Sequence, residues 1–178
     1  MSTGEHPYAA LAREAIRHYL ATGRIVQPDS EPDDPVPTGV FVSLHYPAKR
    51  GQGEGALRGC VGTIRPKEPT LRGEIARSAV SAAVSDPRFP PLAPGETDRL
   101  DITVYLLGEP EEVDGLDDLD PERYGVIVEG PGGRTGLLLP AIPGISTAAS
   151  QVEIARSKAS IHADDPIRLS RFSATILH

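Results

Sequence analysis

Proline and glycine punctuate this chain so densely that every regular element in it must be short. Each occurs 18 times among 178 residues. Proline ends helices and is excluded from central strands. The breaks at Thr22-Gly23, Asp86-Pro87, Pro140, Pro143-Gly144 and Asp165-Pro166 therefore divide the sequence into separate elements.

Three segments between the breaks carry a helical period. From Tyr8 to Ala21, the residues Leu11, Ala12, Ala15, Ile16, Tyr19 and Leu20 form one apolar stripe. Leu71 to Ser85 follows Thr70, a good N-cap, with Leu71, Ile75, Ala79, Ala82 and Ala83 facing inward. A third helix starts at Ser146 or Thr147 and runs through Ala159, with Ala148, Val152, Ala155 and Ala159 inward.

Strand patterns fill the rest. Gly39 to Leu44 and Ala56 to Ile64 read as a hairpin around the glycine-rich loop 51–55. That loop precedes a strand and lacks a Gly-Lys-Ser/Thr ending, so it is a hairpin tip and not a phosphate cradle. Leu100 to Leu107 alternates as a half-buried strand would, with Asp101, Thr103 and Tyr105 outward. Tyr124 to Glu129 and Arg134 to Leu139 flank Gly130-Pro131-Gly132-Gly133 as a second hairpin. Ile167 to Leu177 reads as one final strand, bulged or bent. Residues 27–37, with four prolines and four acidic residues, form a solvated connector. Strands and helices mix without a regular βαβ rhythm. The expected fold is α+β, with an antiparallel or mixed sheet and about three packed helices, in a single domain spanning 1–178.

Composition narrows the functions. Tryptophan is absent and aromatics are 4%, so Leu, Ile, Val and Ala build the core. A net charge of −7 argues against non-specific nucleic-acid binding. No run approaches the roughly 18 apolar residues of a membrane span, and residues 1–8 lack an apolar signal core. A cytoplasmic protein is expected. The one cysteine, Cys60, excludes an intrachain disulfide or a multi-cysteine metal or iron–sulfur site. The histidines show no ligand spacing, and the eight acidic residues in 109–122 lack the EF-hand pattern, so no metal site is expected.

Chemistry concentrates in Leu57-Arg58-Gly59-Cys60-Val61-Gly62-Thr63. On a regular strand Arg58 and Cys60 share a face, about 6.6 Å apart. An arginine beside a thiol favours thiolate. Gly59 and Gly62 suit close approach of a ligand or another backbone. His45, before the hairpin loop, is placed to approach Leu57 to Cys60, so Cys60 and His45 are candidates for nucleophile and base. The bland alternative is a small buried thiol and an exposed histidine. Asp86 can pair with Arg88, Phe89 anchors the turn, and Lys158 suits a helix C-terminus.

Together these stretches resemble the AMME chromosomal-region protein family. Leu57 to Thr63 looks like its L-R-G-C-I-G hallmark, with Val61 for isoleucine. Asp86-Pro87-Arg88-Phe89-Pro90-Pro91 resembles D-x-R-F-x-P, Gly136 to Pro140 resembles G-x-L-L-P, and Lys158-Ala159-Ser160-Ile161 resembles K-A-G-L, with Ser160 in place of glycine. The resemblance covers residues 8–178 and lacks one tryptophan common in the family. It implies a larger and a smaller lobe and a cleft at the L-R-G-C strand. Arg58, Gly59, Gly62, Thr63, Asp86, Arg88, Phe89 and Lys158 are the ligand-binding candidates there. The ligand class is a small anion or a nucleobase-like molecule, and the cofactor is left open. Memo-like and radical S-adenosylmethionine proteins are the implied partners. Two functions remain: an enzyme or enzyme component, or a non-catalytic module that docks a protein through the same surface.

Overall fold

The computed structural model describes residues 4–29, 35–48 and 55–178. The centre of the 27–37 connector, residues 30–34, and most of the glycine loop, residues 49–54, lie outside the described residues. The fold is α+β, with three α-helices and two four-stranded sheets among the described residues. It divides into two compact units, Met1–Leu107 with Thr175–His178, and Gly108–Ala174.

In the first unit, α1 (Pro7–Thr22) ends at Gly23 in the left-handed region, φ 72°. There glycine carries no steric penalty. The hairpin strands β1 (Val40–His45) and β2 (Leu57–Thr63) pair antiparallel, and β1 also pairs antiparallel with β3 (Asp101–Leu107). The order across the sheet is β2-β1-β3-β8, where β8 is Ala174–Leu177. α2 (Leu71–Val84) begins at Thr70, whose hydroxyl accepts the Gly73 N–H. Its expected inner face is buried against Ile16, Val40, Val42, Leu44, Ile102 and Val104. This is the aliphatic core that a chain without tryptophan must build.

β3 departs from the half-buried pattern. Thr103 and Tyr105 are buried as well as Ile102 and Val104, and only Asp101 is exposed. The Thr103 hydroxyl is satisfied by His178 Nδ1 at 3.1 Å, which allows a polar side chain to be buried on that face.

The second unit stacks α3 (Ala148–Lys158) on a sheet ordered β4-β7-β5-β6. Its strands are β4 (Glu111–Val113), β5 (Gly125–Glu129), β6 (Thr135–Leu138) and β7 (Arg168–Phe172). Thr147 caps α3 through the Ser150 N–H. At Gly136 the helix lies so close that a Cβ would stand 1.8 Å from the Ala155 carbonyl oxygen. The expected single strand 167–177 is two strands, β7 and β8, which break at Ser173 and belong to different sheets. Ser160 adopts φ 53°, so the left-handed turn after α3 persists without glycine.

Candidate functional site

The hairpin sets the register of the site. Ser43 stands opposite Cys60, Leu44 opposite Gly59, and His45 opposite Leu57. Arg58 has no partner on β1 and forms a β-bulge. The bulge breaks the simple alternation assumed for Arg58 and Cys60, because an extra residue re-aims its side chain.

Arg58 is almost wholly buried, at 7% exposure, and its side chain runs to Glu96. Its Nε and Nη2 donate to the two Glu96 oxygens at 2.7 and 3.3 Å, and Nη1 donates to the Pro90 carbonyl at 2.9 Å. Burial works against ionisation of Glu96. The pairing with Arg58, the Ala93 N–H and the Tyr46 hydroxyl outweigh it and hold the carboxyl at about 2. Burial likewise opposes the Arg58 charge, but Glu96 raises its pKa overall. Phe89 lies beneath both guanidiniums, 5.9 Å from Arg58 and 5.5 Å from Arg88. Segment 86–96 is thus laid along the outer edge of β2.

The same segment captures the backbone of Cys60. The Cys60 N–H donates to Asp86 Oδ2 at 2.9 Å, and Arg88 Nη2 donates to the Cys60 carbonyl at 3.4 Å. Arg88 also binds Asp86, Nε to Oδ1 at 3.0 Å and Nη2 to Oδ2 at 2.7 Å. The ion pair therefore occupies the groups that a neighbouring strand would use. Because the Cys60 backbone points outward, Ser43 and Cys60 form a non-hydrogen-bonded pair, the closer kind, with side chains on one face. Asp86 is 4% exposed. Burial would raise its pKa, but the bonds from Arg88 and Cys60 lower it to about 2. Pairing with Asp86 is the main influence raising Arg88, and it outweighs the opposing effect of burial.

Cys60 is half-buried. Ser43, 3% exposed, has its hydroxyl 3.3 Å from His45 Nδ1. Ser43, not His45, is the direct neighbour of Cys60. Gly59 faces α2, where a Cβ would lie 2.2 Å from the Ala82 carbonyl oxygen. A Cβ on Gly62 would meet the Val40 carbonyl oxygen at 2.1 Å and the Phe41 ring at 2.4 Å. Both glycines allow close packing within the protein. The Thr63 hydroxyl is bound to the buried carboxylate of Glu74, which also accepts the N–H groups of Lys67 at 2.7 Å and Glu68 at 2.8 Å. Lys158 belongs to the second unit, with Nζ 3.1 Å from the Leu137 carbonyl.

The sequence reading missed Glu96, Glu74 and Ser43. Ser43 carries a legible signal, a small polar residue at mid-strand in an apolar run. Glu96 has none, since Arg58 and Tyr46 are distant in sequence, and Glu74 sits within a helix whose pattern does not mark a buried carboxylate. An open groove of about 640 Å³ in the second unit, lined by Leu116, Val152, Arg156, Ser160 and Ile161 among others, contains none of the candidate residues. Among the described residues, no three His, Cys, Asp or Glu side chains are grouped to hold a metal. No helix among them is long and apolar enough to cross a membrane.

A family model described as AMMECR1 matches residues 9–177. A protein of Thermotoga maritima is 43% identical over 174 residues, 96% of each chain. Protein CA_C1420 of Clostridium acetobutylicum is 40% identical over 95% of this chain, which spans 35% of that protein. Protein PH0010 of Pyrococcus horikoshii is 41% identical over 140 residues, 75% of this chain and 66% of that protein. The crystal structure of uncharacterized protein PH0010 is similar at a TM-score of 0.81 and 34% identity, over 95% of this chain and 88% of that chain.

Proposed function

The chain belongs to the AMMECR1 family, and on that premise we propose that it is an enzyme or enzyme component that receives a small anionic or nucleobase-like ligand at Cys60. One observation carries this reading. The backbone of Cys60 is fixed on both sides by a buried carboxylate and its guanidinium partner, while Cys60 itself is only half-buried beside that guanidinium. Holding one residue this firmly preorganises its side chain.

In this reading Arg88 meets the anionic group of the ligand. Its side chain is 52% exposed, whereas Arg58 is engaged with Glu96. Arg58 and Phe89 are positioning residues that hold segment 86–96. Cys60 is the contact or nucleophile, with His45 as acid or base through the neighbourhood of Ser43. The matched stretch acts as one domain built of two units, in the cytoplasm, beside Memo-like and radical S-adenosylmethionine proteins.

A thiol probe of either charge tests the anion preference. Iodoacetate carries a carboxylate and iodoacetamide does not. Wild-type Cys60 is expected to react with iodoacetate at least as fast as with iodoacetamide, and Arg88→Gln to slow iodoacetate several-fold more. Equal slowing of both reagents by Arg88→Gln contradicts an anion-binding role.

A second reading, a docking module for a protein partner, is favoured by the Clostridium relative, in which this domain is 35% of a longer chain. Calorimetry with a purified Memo-like or radical S-adenosylmethionine protein separates the two. Stoichiometric heat favours docking, and its absence with both partners weighs against it.

A further inference from the structure

The groove in the second unit combines an apolar floor with an acidic border. Its lining comes from Leu116, in the short 3-10 turn Leu116–Asp118, from the face of α3 that carries Val152, Glu153 and Arg156, and from residues 160–163. Val152 and Ile161 belong to the aliphatic core of this unit, so the floor continues that core to the surface. Leu116 is 43% exposed, a large aliphatic side chain left to water at the groove. Apolar surface gathered in a concave site, with a polar border, marks a place where another molecule sits.

The border is negative. Leu116 lies in the stretch 109–122, where eight of fourteen residues are acidic, between Asp114 and Asp117. Glu153 lines the groove itself, and Asp164 follows the lining residue Ala163 in the chain. Asp114, Asp117, Glu153 and Asp164 are exposed and form no ion pair among the described residues. Arg156 is the cation of the lining, and it is directed at the loop backbone: its Nη2 donates to the carbonyls of His162 and Ala163.

We propose that this groove docks a basic segment of a partner protein. One aliphatic side chain of that segment is anchored against Leu116, Val152 and Ile161, and its lysine or arginine side chains meet Glu153 and the carboxylates beside Leu116. Charge decides the occupant. A second copy of this chain, at net −7, an anionic lipid surface and a nucleic acid all bring negative charge to an acidic border and are opposed. A neutral small molecule uses the floor and leaves the carboxylates unanswered. A basic segment with an apolar anchor matches both, with the border steering the encounter and the anchor holding it. A groove of this size is small beside a standard interface, so the association is weak, in the micromolar range. This inference does not depend on the reading of Cys60.

The probe is an amphipathic peptide of lysine and leucine, compared with a lysine–serine and a glutamate–leucine peptide of equal length. Amide chemical shifts of the full chain read where each one binds. The lysine–leucine peptide is expected to bind in the micromolar range, to shift Leu116, Val152, Glu153 and Ile161, and to weaken several-fold as salt is raised. Leu116→Gln and Glu153→Lys, both at exposed positions, should each weaken it several-fold with unchanged circular dichroism spectra. Neither control peptide should match it. The proposal is overturned by no binding, by shifts that miss the α3 face, by equal binding of either control, or by binding indifferent to Leu116→Gln. Groove shifts that grow with protein concentration alone also overturn it, since a second copy is then the occupant.

Discussion

A single carboxylate does at Cys60 what an adjoining strand would otherwise do. Asp86 binds the Cys60 N–H, the Arg88 side chain and, at 3.1 Å, the Arg88 N–H. These bonds lower its pKa from 3.8 to about 2. A folded-state pKa below the unfolded one adds stability that is present above pH 3.8 and lost as pH falls through about 2. The contribution is on the order of 2 kcal/mol. Asp86→Asn should cost about that much at neutral pH in urea titrations, and the variant should lose less stability than wild type between pH 4 and 2. An identical acid limb in both proteins would show that the carboxylate is not the linked group. The Asp86–Arg88 pairing was legible because the residues are two apart. Glu96 was not, since the bulge that sends Arg58 toward it is a tertiary feature with no local pattern.

At the scale of elements, the helices were legible because their apolar periods and caps are local. Thr70, Thr147 and Gly23 each occupy the position that sequence assigned to a start or stop. Both hairpins were legible from alternation and turn chemistry. The last strand was not, because Leu169 and Leu177 pack into different cores while the chain between them carries no proline or glycine to mark the break at Ser173. Gly59 was read as suiting close approach of a ligand or another backbone, and it faces helix backbone, as does Gly136. Gly136→Ala is the clearest test of that packing. Its Cβ cannot coexist with the Ala155 carbonyl, so α3 must shift from β6. A loss of about 3 kcal/mol is expected in thermal or urea unfolding, at the upper end of ordinary overpacking. A neutral substitution would mean that the helix moves freely.

For the whole molecule, the composition foretold that the core would be aliphatic, as it is both around α2 and β1 and around α3 and β5. It could not foretell how the family motifs share their work. Leu57 to Thr63 and Asp86 to Pro91 lie far apart in sequence but form one structure, with segment 86–96 closing the edge of β2 and framing a single thiol. The site therefore rests on Cys60 being reactive and on Arg88 making it so. The rate of Cys60 alkylation by iodoacetamide against pH, in wild type and Arg88→Gln, measures this directly. Wild-type reactivity should persist well below pH 8.5, the midpoint of an ordinary thiol, and Arg88→Gln should move the profile upward toward that value. Slow modification with a midpoint of about 8.5 in both proteins would contradict the account.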